Sequence, residues 1–229
     1  MHNPIGTYYF SVLQIQLNFI QMKNIIASIL ITSAILGACT KTDTTESLTE
    51  KTDTTELLTG KTIVINATSS NDWVYFSFDK DTTVNVSDAA NSLDWDLAFR
   101  RSWIKTNSGL SGKGMGGAFN SGLKAQTGFD GLTTVPTNAV FVQDDSTMVA
   151  GSRGFVKDVV NPVIKDCFEL QFGAQTLLIP GDSIYVVKTA SGKYAKVWIK
   201  DYYSETEANV GAYIKMTYKY QSDGTKSLE

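Results

Sequence analysis

The chain has 229 residues, 42% of them hydrophobic, with 20 Lys and Arg against 23 Asp and Glu for a net charge of −3. That balance leaves no basic footprint for nucleic acid, and the length fits a single domain with extra sequence attached. One histidine and two cysteines are a thin supply for imidazole, thiol or zinc chemistry.

The N-terminal region carries an export pattern. Met22-Lys23-Asn24 is a short positive start, and Ile25 to Leu36 is an uncharged apolar run followed at once by Gly37-Ala38-Cys39. A charged head, a short apolar stretch and small residues before a cut describe a secretory signal, and the run is too short for a comfortable membrane span. Leu-Gly-Ala-Cys resembles the bacterial lipobox, in which the Cys is lipidated and becomes the first residue of the mature chain. We therefore read residues 1–38 as a signal segment with Met22 as its start, and Cys39 as the lipidation site. Removing those 38 residues leaves 191, without His2 or Lys23, and so 19 basic against 23 acidic residues, net −4. With Cys39 acylated, Cys167 has no intramolecular disulfide partner and reads as a small packed hydrophobe. Without a histidine in the mature chain, Ser-His-Asp, Cys-His and imidazole-zinc sites are excluded.

A repeat follows. KTDTTESLTE at 41–50 and KTDTTELLTG at 51–60 agree at eight of ten positions. They are Thr-rich and polar, with too little apolar surface to fold. Residues 39–60 read as a flexible tether; as a coil, residues 40–60 average about 25 Å end to end, and fully extended roughly 70 Å. Residues 61–229 form the folded domain.

That domain reads as strands. Large side chains line both faces of Trp73–Phe78, so both are expected to be covered. Asp79 and Asp81 lack the glycine and distal Glu of a calcium loop. In LDWDLAF at 93–99 every second residue is large and apolar, the pattern of a half-buried strand. Asp94 and Asp96 then share the other face, either as paired carboxylates for acid–base work or as solvated polar positions. Arg100-Arg101 reads as a small anion contact or a solvated strand end.

SGKGMGGAFNSG at 111–122 contains G-x-G-x-x-G, but Asn, Ser and Gly follow within a turn, so no helix opens to hold a pyrophosphate. The P-loop pattern fails as well, because Gly114 stands where Ser or Thr must follow Lys113. The glycines read as a loop between strands that permits close backbone approach. Ile184–Thr189 and Tyr194–Lys200 flank Ala-Ser-Gly-Lys, a hairpin signature. Ile214, Met216, Tyr218 and Tyr220 share one face of a last strand. The expected core contains Trp95, Leu97, Phe99, Val186, Val197, Ile199 and Ile214. No long amphipathic helix is evident. From the residues alone this is an exported, lipid-tethered, antiparallel all-β domain that binds rather than catalyses, and not an enzyme.

Taken together, WVYFSF at 73–78, LDWDLAF at 93–99, SGKGMGGA at 111–118, TTVPT at 133–137, YVVKTASGKYAKVWIKDYY at 185–203 and YIKMTYKYQ at 213–221 resemble, in order, the HmuY-like family of haem-binding outer-membrane lipoproteins. The resemblance implies a two-sheet antiparallel β fold whose extended strands form a haem-clasping cleft. It further implies capture of haem from host carriers and its transfer to a TonB-dependent outer-membrane receptor. The protein would sit at the outer membrane on its lipid anchor, surface-exposed or secreted, with a homo-oligomer left open. Axial ligands in the family come from two segments in the middle of the chain, as histidines in the best-known member and methionines in others.

This sequence departs there, having no histidine to offer. The first ligand position falls after TTVPT, where Met148 is the donor available; a thioether is an established haem ligand. The second falls between Phe172 and Ile179, where Gln175 sits nearest although an amide is a poor iron ligand. Met115 in the glycine loop is a further thioether, and Met216 reads as core. The alternative is a HmuY-fold lipoprotein that has lost haem ligation and binds another apolar ligand or a partner protein.

Overall fold

The computed structural model describes residues 60–151 and 154–229. The expected signal segment, Cys39 and the repeat up to residue 59 lie outside them. Among the described residues the strands are β1 (Lys61–Asn66), β2 (Val74–Ser77), β3 (Thr82–Val84), β4 (Leu97–Arg100), β5 (Trp103–Thr106) and β6 (Gly117–Lys124). After a short helix α1 of about two turns (Ala125–Gly131) come β7 (Asp145–Gly151) and β8 (Gly154–Val160). A 3-10 turn at Ile164–Asp166 leads to β9 (Phe168–Gln171), β10 (Leu177–Pro180), β11 (Ser183–Lys188), β12 (Tyr194–Tyr203) and β13 (Gly211–Gln221).

Every strand pairing is antiparallel. The larger sheet runs β1-β13-β12-β11-β6 and the smaller β3-β2-β4-β5; two further two-stranded ribbons, β7–β8 and β9–β10, join neither. The all-β class and two-sheet arrangement expected from the sequence are therefore present, with two ribbons added.

The main core lies between the sheets. Alternation along β11, β12 and β13 sends Tyr185, Val187, Val197, Ile199, Ile214 and Met216 to one side, where they meet Phe76, Leu97, Phe99 and Ile104 of the smaller sheet. Tyr218 bridges the layers, its ring 5.5 Å from Phe76 and 5.2 Å from Phe78, edge-on in both cases. All seven expected core residues are buried, as are Met216 and Cys167. Burial pushes the Cys167 thiol far above its ordinary pKa, so it stays protonated and inert.

The larger sheet is buried on its second face too. Ile184, Val186 and Trp198 pack there against Phe129, Leu132, Val135 and Leu228. Lys196 points into this layer, and its Nζ donates to the carbonyls of Phe129 (2.8 Å) and Leu132 (3.0 Å). Those carbonyls belong to the C-terminal end of α1, where a helix leaves acceptors unpaired and favours a cation. The buried ammonium thus has a structural role, and burial lowers its pKa.

Two expectations need correction around β4. The strand begins only at Leu97, and it is covered on both faces: Ala98 and Asp96 are buried along with Trp95, Leu97 and Phe99. Alternation alone could not report this, because what packs on the second face comes from elsewhere in the chain: Asp158 of β8 bonds Arg100 there and the Ala150 carbonyl of β7 accepts from Trp103 Nε1. Nor do Asp94 and Asp96 act as a carboxylate pair. Asp94 is exposed and bound to Lys80 at 2.9 Å. Asp96 accepts the Phe78 N–H (2.8 Å) and the Ala190 N–H (2.9 Å), stitching the smaller sheet to the β11–β12 turn. Burial raises its pKa, with those two donors opposing.

The glycine stretch splits into a loop, 111–116, and the start of β6. A Cβ on Gly112 would lie 2.2 Å from Asn107 Oδ1, and one on Gly114 or Gly116 would lie 2.5 Å from the Asn107 carbonyl oxygen. The glycines let the backbone close round Asn107, which accepts the Gly114 N–H on Oδ1 and the Gly116 N–H on its carbonyl. Close backbone approach, as read from the sequence, is what they provide. Met115 at the loop tip has its own partner, since its methyl occupies the space where Gly192 would carry a Cβ, 2.7 Å away.

Candidate functional site

Five exposed large apolar side chains, Met148, Phe155, Val156, Leu170 and Phe172, sit on or next to the two ribbons. On β7–β8 the register pairs Met148 with Lys157, Val149 with Val156 and Ala150 with Phe155. Paired residues share a face, and successive residues alternate. One face therefore carries Val149, Asp158 and Val160, and the other Met148, Ala150, Phe155 and Lys157. The first is packed against the domain at Val149 and Val160, which are buried, while Val156 on the same face is exposed. The second is open, with Met148 53% and Phe155 75% exposed.

The packed face is fastened by an aromatic and cationic stack. Arg100 bonds Asp158 on β8 at 2.6 Å, with its guanidinium 4.5 Å from the Trp73 ring centre and 4.6 Å from that of Trp103. Trp103 Nε1 donates to the Ala150 carbonyl at 2.9 Å, and the Lys105 ammonium stands 4.2 Å from the Trp73 ring. Cation–π contacts of this kind gain strength as water is excluded. Arg100 is therefore committed inside the molecule, while Arg101 takes a left-handed turn position (φ 56°) and donates to the Thr68 carbonyl. The anion contact expected at this pair is internal, to Asp158.

The roots of β7–β8 are clamped together. Asp144, just before β7, accepts the Thr106 N–H (2.9 Å) and an Asn161 amide hydrogen (3.0 Å). Asn161, just after β8, donates also to the Val142 carbonyl (2.7 Å), while its own carbonyl oxygen accepts the N–H groups of Val163 and Ile164. Asp144, Thr106 and Asn161 are all buried.

The β9–β10 ribbon is built as a gradient. Phe168, Leu170 and Phe172 follow every second position; Phe168 is packed edge-on against Tyr202 at 5.1 Å, Leu170 is half-exposed and Phe172 is 79% exposed. Leu178 N–H donates to the Tyr203 hydroxyl at 3.0 Å, fixing the ribbon's other strand to β12. Gln175 lies in the connection between β9 and β10, exposed.

Met148 and Gln175 thus sit on different ribbons, Met148 as a strand residue facing outward and Gln175 in a turn. Met216 is in the core and Met115 is packed on the hairpin turn. Sequence reading passed over Phe155, Lys157, Leu170 and Phe172. The Phe-x-Leu-x-Phe alternation was a usable signal for two of them; Phe155 and Lys157 depend on the β7–β8 register, which no local pattern announces. An open concavity of about 490 Å³ lies elsewhere, lined by Trp73 to Tyr75 and Thr83 to Ser87, and includes none of the candidate residues. Among the described residues no cluster of three or more His, Cys, Asp or Glu could hold a metal ion, and no helix is long and apolar enough to cross a membrane.

A family model described as HmuY protein matches residues 69–220, which include both ribbons, the smaller sheet and the larger sheet apart from β1 and the last residue of β13. The chain belongs to the HmuY family. Solved structures agree on the HmuY fold. A protein of Bacteroides vulgatus ATCC 8482, provisionally described as HmuY-like and heme-binding, matches at 21% identity and TM-score 0.54, covering 74% of this chain and 94% of that one. The apo form of a HmuY analogue from Tannerella forsythia matches at 22% identity and TM-score 0.53, over 71% and 95%. Apo PinO from Porphyromonas gingivitis matches at 17% identity and TM-score 0.53, over 70% and 96%. At such identities the likeness establishes the HmuY fold and not the ligand. No curated protein matches the chain.

Proposed function

We propose that this chain is a lipid-anchored haem carrier that captures haem on its two ribbons and passes it to a TonB-dependent outer-membrane receptor. The observation that carries the reading is Met148: in a HmuY-family chain, a thioether stands half-exposed on the open face of a ribbon, beside an exposed phenyl ring. Apolar area on Phe155, Leu170 and Phe172 supplies the porphyrin contact, and burial of such area contributes about 25 cal/mol per Å² before the costs of association. Gln175 is the polar side chain offered by the second ribbon, and its amide adds little to iron binding.

A soft thioether favours ferrous over ferric iron. Titration of the purified domain with haem should therefore shift the Soret band, with tighter binding under dithionite. Met148→Ala is expected to remove that redox dependence and leave the far-UV circular dichroism unchanged. Met216→Ala, a core change, should lower stability and leave the haem spectrum alone. No Soret shift in either redox state overturns the haem reading. The absence of histidine from residues 39–229 favours, in that event, a HmuY fold that holds another apolar ligand or a partner protein.

The anchor is part of the same proposal. Cys39 should be the first residue of the mature chain and carry more than one acyl group, because a single chain holds a protein to a membrane only marginally. Intact-mass measurement on native protein checks this, with Cys39→Ala moving from the detergent to the aqueous phase. A mature chain that begins elsewhere without lipid contradicts it.

A further inference from the structure

The open face of β7–β8 carries more than a thioether. Met148 and Lys157 are direct cross-strand partners, so their side chains leave the ribbon together, with Cβ atoms about 5 Å apart. Phe155 lies on the same face, two residues from Lys157 along β8. On Met148's own strand the flanking positions of that face are Ser146 and Ala150, small residues that leave room beside the sulfur. Lys157 is exposed and has no ion-pair or hydrogen-bond partner among the described residues. Its neighbour Asp158 faces the other way and is taken by Arg100. The face therefore offers a flat apolar surface, a soft metal donor and, one strand across, an uncommitted ammonium on a long stem.

We propose that Lys157 binds a carboxylate of the ligand held at Met148, and so sets which edge of a porphyrin lies over β8. The proposal rests on the haem reading above. Haem carries its iron at the centre of an apolar ring and its two propionates on one edge. A donor for the centre with a cation beside it matches that distribution, and Lys reaches sideways as a mobile point charge. A lysine on a ribbon edge also discourages strand pairing with other chains; that role is indifferent to the ligand's carboxylates, which gives the test its leverage.

The test compares iron protoporphyrin IX with its dimethyl ester on the wild-type domain, Lys157→Ala and Lys157→Arg. Wild type should prefer the free acid, and Lys157→Ala should weaken free-acid binding by about fivefold while leaving the ester unchanged within about twofold. Lys157→Arg should restore the preference, and added salt should shrink it. Unchanged circular dichroism and melting temperature in Lys157→Ala exclude a structural cause. If Lys157→Ala affects both ligands equally, or neither, while Met148→Ala still alters haem binding, the Lys157 assignment is overturned and the haem reading stands. If wild type binds neither ligand, both fall.

Discussion

Phe99→Ala is expected to lower the unfolding free energy by about 3–5 kcal/mol, the usual cost of truncating a fully buried aromatic. Phe99 sits in the middle of the smaller sheet, paired with Val74 of β2 on one side and Ile104 of β5 on the other, and is fully buried in the core between the sheets. Nothing nearby can refill the space: its neighbours Phe76, Leu97 and Ile104 are themselves buried and held by strand pairing. Domains of this kind hold only about 5–15 kcal/mol in total. The variant should unfold at a much lower denaturant concentration with an unchanged slope. Phe99→Leu should recover much of the loss. A cost under about 1 kcal/mol for the alanine variant would contradict face-to-face packing of the two sheets.

Asp144→Asn should be nearly as costly, through polar groups instead of volume. The carboxylate accepts from Thr106 and Asn161, both buried. An amide in its place turns an NH₂ toward at least one of those donors, and each donor left unpaired costs about 1–3 kcal/mol, for an expected loss of about 2–4 kcal/mol. Because Asp144 and Asn161 hold the two roots of β7–β8, amide exchange should accelerate in that ribbon before the sheets are affected.

The carboxyl also leaves a pH signature. Burial pushes Asp144 and Asp96 above their ordinary value of 3.8, against the pull of their hydrogen-bond donors. A carboxyl raised by folding is disfavoured as the anion, so its contribution to stability grows as pH falls from above the raised value toward 3.8 and levels off below it. Asp81, Asp94 and Asp223 are held below 3.8. Asp81 is lowered by Lys61 and Tyr218 in spite of some burial, Asp94 by Lys80, and Asp223 by the Thr225 N–H. Their contributions are lost only as pH falls beneath 3.8. Wild type should therefore gain stability on mild acidification and lose it on strong acidification. Asp144→Asn should show a smaller gain in the upper window. An identical pH profile for both proteins would remove Asp144 from the account.

How much of this was legible differs by element. The alternation of Ile214, Met216, Tyr218 and Tyr220, and the Ser-Gly turn before Tyr194, placed the last three strands, because side chains two apart meet the same core and Gly192 takes a positive φ (85°) that the turn requires. Asp96 was misread because its environment is made by Phe78 and Ala190, which come from other parts of the chain. The seven-residue helix α1 was missed: Gly128 lies within it and Gly131 ends it, and its stability comes from Phe129 buried against Trp198. At the candidate site, Met148 and Gln175 could be named through family order alone. Their separation onto two ribbons follows from the topology; the company of Phe155 and Lys157 follows from the β7–β8 register, which sets Met148 against Lys157 nine residues on and which side-chain alternation does not reveal.

The order of the larger sheet governs when the domain can form. β1, its first strand, pairs only with β13, its last, so Lys61 waits for Tyr218 and Asn66 for Tyr213. Such long-range pairing delays closure, since the entropy of a long loop must be met before any contact repays it. A nascent chain that has delivered everything up to β12 still has an unpaired first strand and lacks Ala212, Ile214, Met216 and Tyr218 from its core. Folding is thereby deferred until the last twenty or so residues have emerged. C-terminal truncation within β13 should therefore trap the chain as a proteolysis-prone, open-edged species.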